Sequence, residues 1–329
     1  MKMISMQESA IMRMNYQTNK NFYYQNISSL IFAVTISLML AAPLVAAAEN
    51  AQQSTYDNAE DAVAALLEAL QKDGEDALLD IFGKQYEEQL IGGDIAHSRE
   101  NRRIVARAMQ TRANLVDDGR DRKLLVIGSE DWPFPFPLER EKRRWRFDTE
   151  AGIEEMVDRR VGRNELDAIS NCHATIDAQV EYALADRDGD EVLEYAQVIA
   201  STEGKKDGLY WKAVDGGEDS PFGPLVADAK GYLEGRDPGD PFKGYYYKVL
   251  TRQGTNAPGG RYDYIINGNM IAGFGLIAFP ADHGNSGVMT FICNHQGKVY
   301  QADFGPDSDL IAAGIDVYDP DSFWELVKE

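Results

Sequence analysis

"RNELDAISNCHATIDAQVEYA", Arg163 to Ala183, is the stretch on which the reading of the fold turns. Leu166, Ile169, Cys172, Ile176, Val180 and Ala183 recur at steps of three and four, the spacing that lines one side of an α-helix. The segment before it, "EAGIEEMVDRRVGR", is polar, so one long helix is expected from about Thr149 to Ala185. A helix with one apolar side needs a surface to cover, and the last third of the sequence offers one. "GYYYKVLTRQ", "GRYDYIING", "MIAGFGLIAFP", "SGVMTFICN" and "GKVYQADFG" each read as strands bounded by Gly, Pro, Asn or Asp, the pattern of an antiparallel meander. The two periodicities set Leu166, Ile169, Ile176 and Val180 against the sheet face carrying Met289, Phe291 and Cys293. Cys172 then lies over Cys293, and the two are a disulfide candidate; a pair of buried free thiols would pack equally well.

The predicted helix runs into "DRDGDEVLEY", Asp186 to Tyr195. With Asp186 as position one of a twelve-residue loop, Asp188 and Asp190 take positions three and five, the Val192 carbonyl seven and Glu194 nine. Hard cations favour such oxygen sets, and calcium is the expected ion. Position six is Glu191 rather than glycine, and position twelve is Gln197, which is no bidentate carboxylate, so this is not a regular helix–loop–helix site. Asp207, in the irregular stretch Ser201 to Pro241, is a further ligand to consider. The competing reading is a solvated polar turn.

Toward the N-terminus, "AVAALLEAL" follows Asp57 and Glu60, read as a capping box. "EDALLDIF" continues as a short helix, and "SRENRRIVARAMQTRANL" predicts a third from Ser98 to Leu115, with Ile104, Val105, Ala108 and Met109 on its apolar side. "RKLLVIG" reads as a strand. "WPFPFPLE" carries proline at every second position, which removes one row of N–H donors and marks an edge strand or extended strap. "EREKRRWRFD", Glu139 to Asp148, is the one basic cluster, and its acids and strand-like flanks place it at a hairpin tip.

Residues 1–48 read as a secretory signal: Lys2, Arg13 and Lys20 in front, an apolar run from Ile27 to Val45, and Ala46–Ala48 as the cleavage signal. A retained membrane anchor is the alternative. The whole chain carries a net charge of −21, which opposes nucleic-acid and anionic-lipid partners. Export to an oxidising compartment favours the disulfide. His173 and His295 flank the cysteines, but neighbours on one helix splay apart, which disfavours zinc. A triad of Ser286, His283 and an aspartate is disfavoured because turn residues so close in sequence rarely converge.

"DWPFPFPL", "WRFDTEAG", "RRVGRNEL", "DGDEVLEYAQ", "KKDGLYW", "NAPGGRYDYIINGNMIAGF" and "GVMTFICNHQGKVY" together resemble the family named domain of unknown function 2950, exported proteins of Gram-negative bacteria. The resemblance covers nearly all of the chain after the signal and implies no activity. Glu191 and Cys293 depart from the family pattern, where a glycine and an aliphatic residue stand. Residues from about Asn164 to Phe304 also resemble pilin and pseudopilin globular domains, major pseudopilins being calcium binders. The charged segment Thr149 to Arg163 replaces the apolar membrane helix of pilins. The N-terminal element order resembles the cone-shaped cystatin-like fold of nuclear transport factor two.

The sequence therefore predicts an α+β protein: a signal over 1–48, a small helical-plus-hairpin domain over 49–148, and a pilin-like domain over 149–329, a long helix on an antiparallel sheet. The expected function is an exported, non-enzymatic binding protein of the periplasm or cell exterior, accessory to a surface or pilus-like assembly. It would meet an envelope protein partner and insert no stable segment into the membrane once the signal is gone. A metal-assisted periplasmic hydrolase is the alternative, and a membrane-tethered module the third.

Overall fold

The computed structural model describes residues 53–72, 74–91, 95–211, 217–223 and 240–328. The signal segment 1–48 and much of the irregular stretch after Ser201 lie outside the described residues. Two compact units divide the chain, one ending at Thr149 and the other taking Glu150 onward together with Pro135–Pro137. Helices and largely antiparallel sheets make up both, so the protein is α+β. Among the described residues no helix is long and apolar enough to cross a membrane.

The first unit contains α1 (Ala59–Gln71), α2 (Glu75–Phe82), α3 (Glu87–Ile91) and α4 (Ile95–Thr111). Its strands are β1 (Ala113–Asp117), β2 (Arg122–Ile127), β3 (Trp132–Pro133), β4 (Leu138–Glu141) and β5 (Arg144–Phe147). The cap of α1 is Asn58, whose side chain accepts from the Asp61 N–H at 2.8 Å, and not the predicted Asp57–Glu60 box. Helix α4 stops at Thr111, because "ANLVD" pairs with β2 as a strand instead of extending the helix to Leu115. Ile104 is exposed, and α4 buries Arg102, Ala106 and Met109.

Strand order is β1-β2-β4-β5, with β3 beside β2. The proline run starts as an edge strand, Trp132–Pro133 pairing with β2 alone, and continues with Phe134 and Phe136 buried. Phe134 and Phe82 both pack on Phe147, with centroids 6.3 and 5.2 Å away. The basic cluster is the β4–β5 hairpin, with Lys142 and Arg143 both at positive φ in its two-residue loop, the backbone of a tight hairpin turn. Its charges are paired locally, Arg146 with Glu139 at 2.6 Å, Arg140 with Asp121 and Arg144 with Asp57.

In the second unit α5 (Thr149–Tyr182) is followed by β6 (Val198–Ala200), β7 (Gly208–Tyr210) and β8 (Tyr245–Leu250). Then come β9 (Arg252–Gln253), β10 (Tyr262–Asp263), β11 (Ile265–Ile266), β12 (Asn269–Met270), β13 (Gly275–Pro280), β14 (Thr290–Asn294) and β15 (Val299–Ala302). Helix α6 (Ser308–Ala313) and β16 (Glu325–Leu326) complete it. Near its start α5 leaves no room for a side chain at Gly152, where a Cβ would sit 2.0 Å from Phe136.

The main sheet is antiparallel, in the order β16-β15-β14-β13-β8. "GRYDYIING" is not one of its strands: β10 pairs β9, and β11 pairs β12 through a turn at Asn267–Gly268. Every residue of β13 and β14 is buried, as expected of strands covered on both faces. Ala168 and Cys172 of α5 pack with Leu276, Ala278, Phe291 and Cys293 on one face. On the other, Ile277, Phe279 and Ile292 pack with Ala312 of α6 and Tyr318.

The predicted contact stripe of α5 needs correction. Leu166 and Val180 are half exposed, while Ile169 packs beside Cys172 and Ile176 joins a separate cluster of Tyr264, Met270 and Phe274. The buried side carries Asn171, Thr175 and Gln179 with Ala168, Cys172 and Tyr182. These polar groups are matched: Asn171 donates to the Tyr247 hydroxyl at 2.8 Å, and Thr175 to the Asn171 carbonyl at 2.7 Å. Gln179 both donates to and accepts from the Ala196 backbone at 2.8 Å. Buried polar side chains are tolerated when so satisfied.

Candidate functional site

The helix end and the loop after it form the candidate site. Asp186, Asp188 and Asp190 are exposed, and each offers a carboxylate oxygen within 4.8 Å of the others. The loop is wound by its own carboxylates. Asp186 accepts from the Gly189 N–H at 2.7 Å and the Glu191 N–H at 3.0 Å. Asp188 accepts from the Asp190 N–H at 3.4 Å, and Asp190 from the Val192 N–H at 2.8 Å. The Gly189 and Glu191 bonds hold the Asp186 carboxyl below its usual range. Glu191, at the sixth position, adopts φ of 67°, the left-handed backbone that glycine supplies more easily.

The loop is anchored on both sides. Asn269 of β12 donates to Asp190 at 2.6 Å. Arg187 turns inward, with its side chain only 7% exposed. It reaches the Tyr182 carbonyl, the Ala185 carbonyl at 3.2 Å and Glu218 at 3.0 Å. Its guanidinium lies 4.7 Å from the Tyr182 ring and 5.6 Å from the Trp211 ring. A cation at the C-terminal end of a helix opposes the negative end of its dipole, and the two rings add cation–π contact. Lys206 joins Glu218 at 2.6 Å, and that bond, ahead of the nearby Arg187 charge, lowers the Glu218 carboxyl. Burial and then the Glu194 charge push the Tyr182 hydroxyl up to about 12.

The carboxylates of Glu194 and Asp207 lie outside this cluster. Glu194 accepts from the Met270 N–H at 2.9 Å, and Gln197 donates to the Gly268 carbonyl at 2.7 Å. Asp207 is engaged by Thr202, whose N–H and hydroxyl donate at 2.7 and 2.8 Å. Burial raises its carboxyl, but the Thr202 bonds outweigh that, and the net shift is downward. Three oxygens from Asp186, Asp188 and Asp190 fit one hard cation, since ligands each about 2.4 Å from calcium lie up to about 5 Å apart. Arg187 is the residue the sequence reading missed; one arginine between aspartates reads as a solvated charge.

Cys172 and Cys293 form a disulfide with Cα atoms 6.2 Å apart, inside the usual range. It fastens the buried side of α5 to β14. Nearby, Glu165 accepts from the Val288 and Met289 N–H groups, both at 3.0 Å. Burial raises its carboxyl; those bonds pull it down less, the Asp303 charge adds to the rise and His283 opposes it. His283 pairs with Asp303 at 2.9 Å, while the Ser286 hydroxyl is bound within its own turn to Asp282. Serine and histidine are therefore engaged separately.

A family model described as "Protein of unknown function (DUF2950)" matches residues 53–327. No curated protein and no solved structure matches the chain.

Proposed function

We propose, for a chain that belongs to the DUF2950 family of proteins of unknown function, an exported, non-enzymatic binding protein of the bacterial envelope that takes up calcium at Asp186, Asp188 and Asp190. The observation that carries this reading is the convergence of those three exposed carboxylates in a loop fixed from below by Arg187. Three negative groups at the negative end of a helix repel one another, and a divalent ion relieves that repulsion. Leu184 and Leu193, exposed beside the aspartates in sequence, give the same segment apolar groups for a partner. The signal-like segment 1–48 supports a periplasmic or secreted location. One long helix laid on an antiparallel meander supports a role beside a pilus-like or other surface assembly.

Affinity capture from envelope extracts tests the reading. The full chain should retain one envelope protein in calcium and release it in EDTA, and Asp188→Asn should retain none. Retention indifferent to both calcium and Asp188 would remove the loop from the binding function.

A further inference from the structure

Among the described residues, the sheet of the first unit is covered at β5 and unpaired along the outer side of β1. At β5, Tyr56 and Trp145 exchange two backbone hydrogen bonds of 2.8 Å. At β1, no described residue pairs with the outer side. The Asp118 N–H donates to the Arg122 carbonyl at 3.0 Å, continuing the β1–β2 register. Hydrogen-bonded pairs alternate along an antiparallel ladder, so Asn114 and Val116 face β2. The backbone groups of Ala113, Leu115 and Asp117 point outward. β1 is paired without interruption over five residues and contains no proline, lysine or bulge to turn it from pairing. All its residues but Leu115 are exposed.

We infer that β1 pairs antiparallel with β1 of a second copy of this chain, across a two-fold axis at Leu115. The occupant follows from self-complementarity. This register sets Ala113 opposite the partner's Asp117 and Leu115 opposite itself, so all three outward residues fall in hydrogen-bonded pairs. It also sets Arg112 opposite the partner's Asp118. Both lie on the same strand face, with side chains 46% and 47% exposed. Arg112 already holds Asp131 at 3.1 Å, and Asp118 holds Arg122 at 3.1 Å. Pairing therefore strings acid, base, acid and base in one row across the junction. An axis at Asp117 would stack that carboxylate on itself, and one at Ala113 would leave Arg112 facing Asn114. Opposite charges across a strand pair favour one register, and like charges oppose it.

Sedimentation velocity on the full chain over a micromolar to submillimolar series tests this. A reversible monomer–dimer equilibrium is expected. Leu115→Pro should weaken it roughly tenfold or more, since it removes outward donors while leaving the β1–β2 ladder its bonds. Arg112→Asp should weaken it about as much by facing like charges, and Arg112→Asp combined with Asp118→Arg should restore it. If Leu115→Pro loses its circular-dichroism signal, the charge swap decides alone. A monomer at every concentration, or a dimer that the folded variants leave unchanged, overturns the inference. Capture of an extended segment of another protein by a monomeric chain overturns it as well.

Discussion

Replacing Gln179 by alanine should destabilise the second unit far more than replacing its neighbour Val180. Gln179 is fully buried, and its amide closes both the N–H and the carbonyl of Ala196, itself 1% exposed. Truncation leaves two buried backbone groups unmatched, at about 1–3 kcal/mol each. The lost side-chain volume adds to this, so the expected cost is about 3–5 kcal/mol. Val180 is 53% exposed. Val180→Ala removes little buried surface and gains some helix propensity, so it should stay within about 0.5 kcal/mol of the parent. Urea unfolding followed by tryptophan fluorescence measures both, because Trp211 sits in the cluster that includes Ala178, Tyr182 and Ala196. Equal midpoints for Gln179→Ala and the parent, or a larger loss from Val180→Ala, would refute the assignment of the buried helix side.

The disulfide between Cys172 and Cys293 closes a loop across a separation of 121 residues. The chain-entropy model gives it about 5 kcal/mol, so intact mass without reductant should show no alkylatable thiol, and Cys172→Ser should lower the melting temperature steeply. Glu165 has a raised carboxyl in the folded protein. The stability tied to that shift is present in full below the unfolded pKa and is lost as pH rises through the folded value. Glu165→Gln should therefore lose less stability than the parent as pH rises above the ordinary glutamate range of about 4; parallel pH–stability curves would count against the burial of this group.

Strand runs and the long helix could be read directly because apolar periodicity and turn formers mark them. The buried side of the helix could not. Counting apolar residues selects Leu166 and Val180, whereas α5 spends its inner side on Asn171, Thr175 and Gln179. Ala196 lies outside any strand, and the Gln179 amide pairs both of its backbone groups. "ANL", Ala113 to Leu115, continues a helical run and so reads as helix, while the pairing of "ANLVD" with "KLLVI" is a non-local fact. Asn267–Gly268, by contrast, is a legible hairpin signal inside "RYDYIING". The three aspartates were legible from spacing alone. Arg187 was not, because its burial depends on Trp211 and Glu218, which come much later in the chain.

Calcium binding is the claim on which the functional account rests, and calorimetric titration of calcium into the full chain after EDTA treatment tests it most directly. One site is expected, with Kd on the order of 10⁻⁴ M as in extracellular modules. Calcium tenfold above Kd then adds about 1.4 kcal/mol by mass action, seen as a modest rise in melting temperature. Asp188→Asn should abolish the binding heat and that rise while leaving the EDTA melt unchanged or slightly higher, since one repulsion is gone. No binding heat, together with a melting temperature that is the same in millimolar calcium and in EDTA, would contradict the account and leave Asp186, Asp188 and Asp190 as a solvated turn.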